Sequence, residues 1–553
     1  MKYKLFSFLL LVLSISACGG SDSGAADNNQ TLICDNGGTD YPACTAPVCD
    51  NGGTDYPACT APMCDNGGSD YPACTVPVCD NGGSDYPACT APVCDNGGTD
   101  YPVCTAPVCL NGGTDYPVCT VPVCLNGGAD YPVCTDPTLP EFLDENDFFN
   151  DTSVLVPAER KRILTNVNGN DSKVLNDLIT ELNAQGGGII NIPAGNWLFG
   201  EIVLRSNVHL FIDPAAIITP VRVTWNGPTF HLGYNDLQVK NVSIRSTSAT
   251  EKFTIDMSGL PDNLYPPTTQ QEPRVMPFRV SEVENFMVSG AFVIDKHTIH
   301  SSVNFIPSVR NGIYAGANKG LVKDITVKNA HGGYGAVQTR VGSNVFFKNI
   351  NSLSGGSTLR IETDAPHASG YKAPIETMVV SNIFGYNIGC NEGNSAVMIQ
   401  PWAAVNGRFD VQKISSNSCG AAVRIDRAFV EWQTTSGEFT NPNNLPVGSF
   451  AADSRITDIN ATYGTKAQVK QGTFPFIPCD LRHLYQPEIL METFHQGPSI
   501  SPLLYAASSH TLTDSRFYDI DVPTEDEIAA KSIGFPAASL IISRDEQKLP
   551  SCN

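Results

Sequence analysis

Polarity repeats along this chain with two different periods. From Ser172 to Ala184 the apolar residues Val174, Leu175, Leu178, Ile179 and Leu182 recur at helical spacing. Ser172 is expected to cap that helix, and Gly186-Gly187-Gly188 to end it. Beyond the glycines the period shortens. IINIP, EIVLRS, VHLFID, NVSIRS, FMVSGAF, DITVKNA, NVFFKNI, MVVSNIF and FDVQKIS follow one another, separated by Gly, Asn and Ser, with no long helical pattern between them. Such runs predict short strands.

Four segments also align with one another: AVQTRVG from Ala336, TLRIETD from Thr358, AVMIQPW from Ala396 and AVRIDRA from Ala422. Their second and fourth positions, Val337/Thr339, Leu359/Ile361, Val397/Ile399 and Val423/Ile425, are small or apolar, as the inward stacks of a solenoid require. The stretch GGGIINIPAGNWLFGEIVLRSNVHLFIDPAAIITP resembles the opening of right-handed parallel β-helix carbohydrate enzymes, in which a helix covers the first coil. The predicted fold is therefore all-β: a right-handed parallel β-helix over 139–553 with an N-terminal capping helix. A disulfide-rich repeat stalk precedes it.

The N-terminal quarter is of another kind. Lys4 is followed by the apolar run FSFLLLVLSIS and by Ala17-Cys18, the pattern of a signal peptide over 1–17 rather than of a membrane span. Ile15-Ser16-Ala17-Cys18 resembles a bacterial lipobox, which implies lipidation of Cys18. Gly19 after it implies the outer membrane of a Gram-negative cell, with the protein lipid-anchored and surface-exposed, or else secreted. A polar tether, 18–33, leads to seven 15-residue repeats, 34–138, of the type CDNGGTDYPACTAPV. These supply 14 of the 19 cysteines and almost no large aliphatic residues, so each copy needs disulfides in place of a core. Cys34 with Cys44 is the expected pairing, with Cys44 to Cys49 an open alternative.

Residues 1–139 hold 15 of the 56 acidic but only 2 of the 34 basic residues, and the formal net charge of the whole is −22. This argues against nucleic acid as a partner. The paired aspartates of most repeats could bind a structural calcium weakly, but two carboxylates are few for a closed site, and no cofactor is required. A monomer is expected.

On the predicted solenoid, the outward positions form ladders about 4.8 Å apart per coil. One is Gln338, Arg360, Met398 and Arg424; the next is Arg340, Glu362, Gln400 and Asp426; a third would be Gly342, Asp364, Trp402 and Ala428. Tyr314, Gln468 and Lys470 would flank them. Guanidinium groups, carboxylates, amides and a tryptophan on one face form the mixture needed to hold an anionic sugar chain. Glu362 and Asp364 lie two apart on one strand, so their side chains project together with that of Arg360. Their α-carbons are roughly 6.5 to 7 Å apart, compatible with the pair of carboxyl groups of an inverting glycosidase. A neighbouring carboxylate would keep one protonated while Arg360 held the other ionised.

GGYGAVQTR followed about twenty residues later by LRIETD resembles the iota-carrageenases, glycoside hydrolase family 82. The resemblance covers roughly 140–550, with its specific motifs between Gly333 and Asp364. It implies Glu362 as proton donor, Asp364 as the base that activates water, and Gly333, Tyr334, Gln338 and Arg360 as family site residues. It also implies hydrolysis of the β-1,4 linkages of a sulfated red-algal galactan, with inversion. Arg340, Arg360, Arg424, Arg427 and Lys470 would bind sulfate, and His367 would assist or have no role. Asp426 is the alternative base.

Three rivals stay open. Polygalacturonases share the fold, but their NTD, DD, GHG and RIK signatures do not occur here in order. A polysaccharide lyase would draw on Arg424, Arg427 or Lys470 as base. A noncatalytic polysaccharide-binding surface protein would need no acid at all. Within the solenoid, Cys390 and Cys419 are expected to bond across adjacent coils, and Cys479 with Cys552 to close the C-terminal segment.

Overall fold

The computed structural model describes residues 143–542 except 222–225, 234–237, 261–273, 364–372, 429–431, 434–438, 441–444, 487–488, 492–493, 507–517 and 519. The predicted signal peptide, tether and repeats thus lie outside the described residues, as do Asp364, His367 and Cys552. The chain winds between two parallel sheets. One includes, in spatial order, Val208–Ile212, Val239–Ser246, Val283–Ile294, Ala317–Lys328, Gly342–Leu353, Val380–Asn391 and Phe409–Asn417. The other includes Asn226–Leu232, Arg274–Val280, Val303–Phe305, Gly335–Thr339, Ser357–Glu362, Ser395–Gln400, Ala421–Asp426 and Ser501–Ala506. Sequence order and spatial order coincide in both, which is the predicted parallel β-helix.

Stacking in register sets like on like. Val337, Leu359, Val397, Val423 and Leu503 form one inward column, and Thr339, Ile361, Ile399 and Ile425 another; all are essentially inaccessible. Each such aliphatic side chain contributes up to about 1.5–3 kcal/mol on burial. Nearer the first coils the column becomes aromatic, with Phe278 and Phe230 in register and the Phe199 ring against that of Phe230.

The asparagines that separate the strand-like runs prove to be corners inside long strands. Asn344 and Asn349, and one coil on Asn382 and Asn387, have φ between 51° and 57°. Asn tolerates this left-handed geometry better than other non-glycine residues. Its amide also bonds the next coil: Asn387 Nδ2 donates to Asn349 Oδ1 at 2.8 Å, Asn349 Nδ2 to Asp324 Oδ1 at 2.8 Å, and Asn382 Nδ2 to Asn344 Oδ1 at 3.0 Å.

The helix Ser172–Ala184 buries Leu175, Ile179 and Leu182 at the end of the solenoid. Ser172 is not its cap. Asp171 occupies that position without a capping bond, because its carboxylate accepts from Val167 N and Leu198 N, while the Ser172 hydroxyl accepts from Gly200 N at 2.6 Å. Both side chains dock the helix on the coils instead. Gly187 ends it with φ 113°, where a Cβ would lie 2.3 Å from Asn207 O.

Cys390 and Cys419 are bonded, with α-carbons 6.4 Å apart. Cys479 is also disulfide-bonded. Gly342 does not continue the outward ladders. The strand of Gln338 stops at Thr339, and Gly342 opens a strand of the other sheet, paired with Ala317 and Val380.

Two segments cover the solenoid. Residues 144–153 cross the first sheet: Phe148 and Phe149 pack with Met287, Leu321 and Phe346, and Glu145 pairs with Lys323 and Lys348. Ala467–Lys470, Ile489–Met491 and Phe494–Gly497 form a small antiparallel sheet. Its apolar residues pack with Ala421 and Leu504, and Phe494 meets Gly332 so closely that a Cβ there would lie 2.7 Å from the ring.

Candidate active site

Backbone pairing sets Gln338 beside Arg360, Arg360 beside Met398 and Met398 beside Arg424, while Glu362 faces Gln400. The first two predicted ladders therefore follow the sheet, although Arg340 lies one residue past the end of its strand. Their side chains are far from being an open solvated face. Gln338, Glu362, Met398, Gln400, Arg424 and Asp426 are all buried, because neighbouring turns and the 467–497 sheet close over the row.

Glu362 ends its strand, and three donors converge on its carboxyl group. Gln338 Nε2 reaches Oε2 at 3.1 Å, Arg360 NH2 contacts the same oxygen, and Trp402 Nε1 reaches Oε1 at 3.3 Å. Arg360 is held in turn by Gly333, whose carbonyl oxygen accepts from NH1, and by Tyr334, whose ring centroid lies 5.5 Å from the guanidinium carbon. Gly333 and Tyr334 thus act on Glu362 through Arg360.

Trp402 has φ 48°, a left-handed conformation rare for a bulky residue. Its turn is braced from several sides. Gly448 N donates to Trp402 O at 2.7 Å, and the Thr363 hydroxyl donates to Pro401 O at 2.6 Å. A Cβ on Gly448 would lie 2.5–2.7 Å from the carbonyl oxygens of Trp402, Ala404 and Pro401, so only glycine admits this packing. The third-ladder position expected of Trp402 does not exist, since its strand ends at Gln400; the turn carries the indole back onto Glu362.

Arg424 and Asp426 form a self-contained pair. Arg424 Nε donates to Oδ1 at 2.9 Å and NH2 contacts Oδ2, while NH1 donates to Asn394 Oδ1 at 2.9 Å. Burial works against the Arg424 charge, but Asp426 outweighs it and holds the guanidinium pKa above its ordinary value. Gln400 donates to Arg427 O at 3.0 Å, and Gln468 Oε1 accepts from Gly356 N at 2.8 Å, so these amides join coils. Arg427 is buried and Arg340 half-buried. Tyr314 lies on the hairpin 308–315, off the ladders, with its N–H donating to Thr377 Oγ1.

Lys470 is exposed on the strand edge above the row. Arg424 beside it, then partial desolvation, lower its pKa, against the pull of Asp426 and Glu362. Among the described residues no cluster of three or more His, Cys, Asp and Glu could hold a metal ion.

Comparison with known proteins agrees with this architecture. No family model matches the chain. An iota-carrageenase of Alteromonas macleodii is 34% identical over 274 residues, 48% of this chain and 52% of that protein. An iota-carrageenase of Zobellia galactanivorans is 27% identical over 397 residues, 61% of this chain and 76% of that protein. The chain therefore spans about half the length of the first of these relatives and three quarters of the second. Among solved structures, a 1,3-α-1,4-β-D-galactose-4-sulfate-3,6-anhydro-D-galactose-2-sulfate 4 galactohydrolase superposes with a TM-score of 0.60 at 26% identity, covering 73% of this chain and 94% of that one. An iota-carrageenase complexed to iota-carrageenan fragments superposes with a TM-score of 0.59 at 24% identity, covering 75% and 98%; that likeness is one of fold. The chain is related to the iota-carrageenases in sequence and shares their β-helix.

Proposed function

We propose that the protein is a glycoside hydrolase that cleaves internal β-1,4 linkages of iota-carrageenan with inversion of configuration. The observation that carries this reading is Glu362, a buried carboxyl group at a strand end with three converging donors, in a chain similar in sequence to iota-carrageenases. In this reading Glu362 gives its proton to the leaving glycosidic oxygen; since Arg360 meets Glu362 itself, and not the partner carboxylate as expected, and favours its ionised form, Glu362 takes up that proton as the anionic substrate draws Arg360 away. Asp364, next but one along the chain, removes a proton from the attacking water. Inverting enzymes need about 6.5–9.5 Å between the two groups so that the water fits between base and anomeric carbon. Asp426 is the weaker candidate for the base, because Arg424 engages both its oxygens.

A sulfate ester is anionic at every relevant pH, so the substrate needs cations along its path. Lys470 is the exposed one near Glu362, and Arg340 and Arg360 are partly accessible. A lipid on Cys18 would hold the enzyme at the outer membrane, with the repeats as a stalk and the solenoid presented to polymer as a monomer. This hydrolysis calls for no cofactor.

The test is incubation with iota-, kappa- and lambda-carrageenan, pectate and alginate, followed by assay of reducing ends and of absorbance near 235 nm. New reducing ends on iota-carrageenan without the absorbance, and with the α anomer as first product, are expected. Unsaturated product would point to a lyase, and no reaction on any polymer to a binding protein.

A further inference from the structure

We infer that His331 is a positioning residue for the acid: it fixes the turn whose Gly333 carbonyl and Tyr334 ring hold Arg360 against Glu362. The inference rests on the reading above and adds to it a residue that acts through Arg360.

The turn has little stiffness of its own. The chain crosses from one sheet to the other between Lys328, which ends a strand of the first, and Gly335, which opens a strand of the second. Gly332 and Gly333 lie in that crossing, and glycine has little backbone preference. His331 supplies the constraint twice. Its Nδ1 accepts from Gly333 N at 3.0 Å, and its carbonyl oxygen accepts from Tyr334 N at 2.9 Å. To accept, Nδ1 must keep its lone pair, so the ring carries its proton on Nε2. The side chain is wholly inaccessible, with its ring 5.4 Å from that of Tyr334 and 6.3 Å from that of Phe494 in the small antiparallel sheet.

Peptide geometry carries this constraint to Arg360. Gly333 O and Tyr334 N belong to one planar unit, in which the carbonyl and the N–H point opposite ways. The bond from Tyr334 N to His331 O therefore sets the direction of the Gly333 carbonyl, which accepts from Arg360 NH1. The bond from Gly333 N to Nδ1 fixes the peptide unit before it, so rotation about Gly333 is resisted on both sides. Arg360 NH2 is left to Glu362, and its passage to the anionic substrate starts from a fixed anchor. GGYGAVQTR begins one residue after His331, and a residue in a crossing between sheets has no place in strand alternation, so sequence reading passed over it.

Two variants separate positioning from packing. His331→Phe keeps a ring between Tyr334 and Phe494 but offers Gly333 N no acceptor. His331→Asn offers an acceptor near the place of Nδ1 but leaves the space of the ring unfilled. The experiment measures kcat and KM on iota-carrageenan below the melting range of every variant, with thermal melting recorded alongside. His331→Asn should melt lower than His331→Phe, because it opens a cavity, yet keep kcat/KM within about threefold of the parent, while His331→Phe loses about tenfold. In an Arg360→Lys background, where a single ammonium cannot span Gly333 O and Glu362 as the guanidinium does, His331→Phe should cost less than about twofold more. Activity that follows melting temperature across the variants, or losses that multiply in full with Arg360→Lys, would overturn the inference and leave the hydrolase reading standing. If the parent cleaves no sulfated galactan, the hydrolase reading falls and the inference with it.

Discussion

Replacing Trp402 by phenylalanine keeps a ring in the braced turn but removes the N–H that reaches Glu362 Oε1 at 3.3 Å. A hydrogen bond to a charged group is worth about 1.5–3 kcal/mol, which applies here to the carboxylate that forms as Glu362 gives up its proton, and 3.3 Å is at the long end of the useful range. The lower figure, about 1.5 kcal/mol, corresponds to roughly a tenfold loss of rate if the contact matters for placing the acid in the transition state. Trp402 is 8% exposed and lies outside the main inward columns, so the loss of ring area should lower stability by only about 1 kcal/mol. The assay is steady-state hydrolysis of iota-carrageenan followed by reducing ends, with kcat and KM determined separately and thermal melting recorded alongside. A kcat reduced about tenfold with KM within twofold of the parent is expected, because the contact is to the acid and not to the sugar. The reasoning fails if kcat is retained and KM rises instead. Trp402 would then be a stacking platform for the polysaccharide, and its bond to Glu362 incidental.

Glu362→Gln and Asp364→Asn should each lower turnover by several orders of magnitude with little change in melting; one that kept most of its activity would turn attention to Asp426. The double variant Cys390→Ala/Cys419→Ala opens a cross-link spanning 29 residues and should cost about 3 kcal/mol in denaturant unfolding, with activity kept at low temperature. Acid should release the 144–153 segment before the solenoid unfolds. Desolvation opposes ionisation of Glu145 and Asp151, but Lys323 and Lys348 for the first, and Arg245 with Ser153 for the second, lower both pKa values. Carboxylates so shifted stabilise above their ordinary values, 4.5 and 3.8, and lose that contribution as pH falls through the lower folded values. His209, whose ring contacts Thr152, is held down to about 4, by burial first, then by Arg245, so its contribution fades from pH 6.5 downward through 4. Hydrogen exchange should therefore show residues 144–153 opening between pH 6 and 3 ahead of the core strands; simultaneous opening would refute it.

Local period in the chain was enough to dictate the regular elements. Alternation fixed which of Val337, Leu359, Val397 and Val423 face inward, since a one-residue slip would expose a whole column. Self-similarity between segments then determined the register, and with it the placing of Gln338, Arg360 and Arg424 on one ladder. Helical spacing determined the capping helix, though not the bonding at its start, where Asp171 and Ser172 accept from Leu198 and Gly200, 27 and 28 positions away. Tertiary structure decided what lies across the coils. Trp402 meets Glu362 from 40 residues further on, through a left-handed turn that alternation cannot encode. The 467–497 sheet turns a face that reads as exposed into a buried one, and brings Phe494 against the ring of His331 in a crossing between sheets that has no pattern of its own. The physical reason is the same in each case. Inward burial repeats with every coil and so leaves a periodic trace, whereas the loops that close over the outward face differ in length from coil to coil, and only their folded paths set which side chains meet.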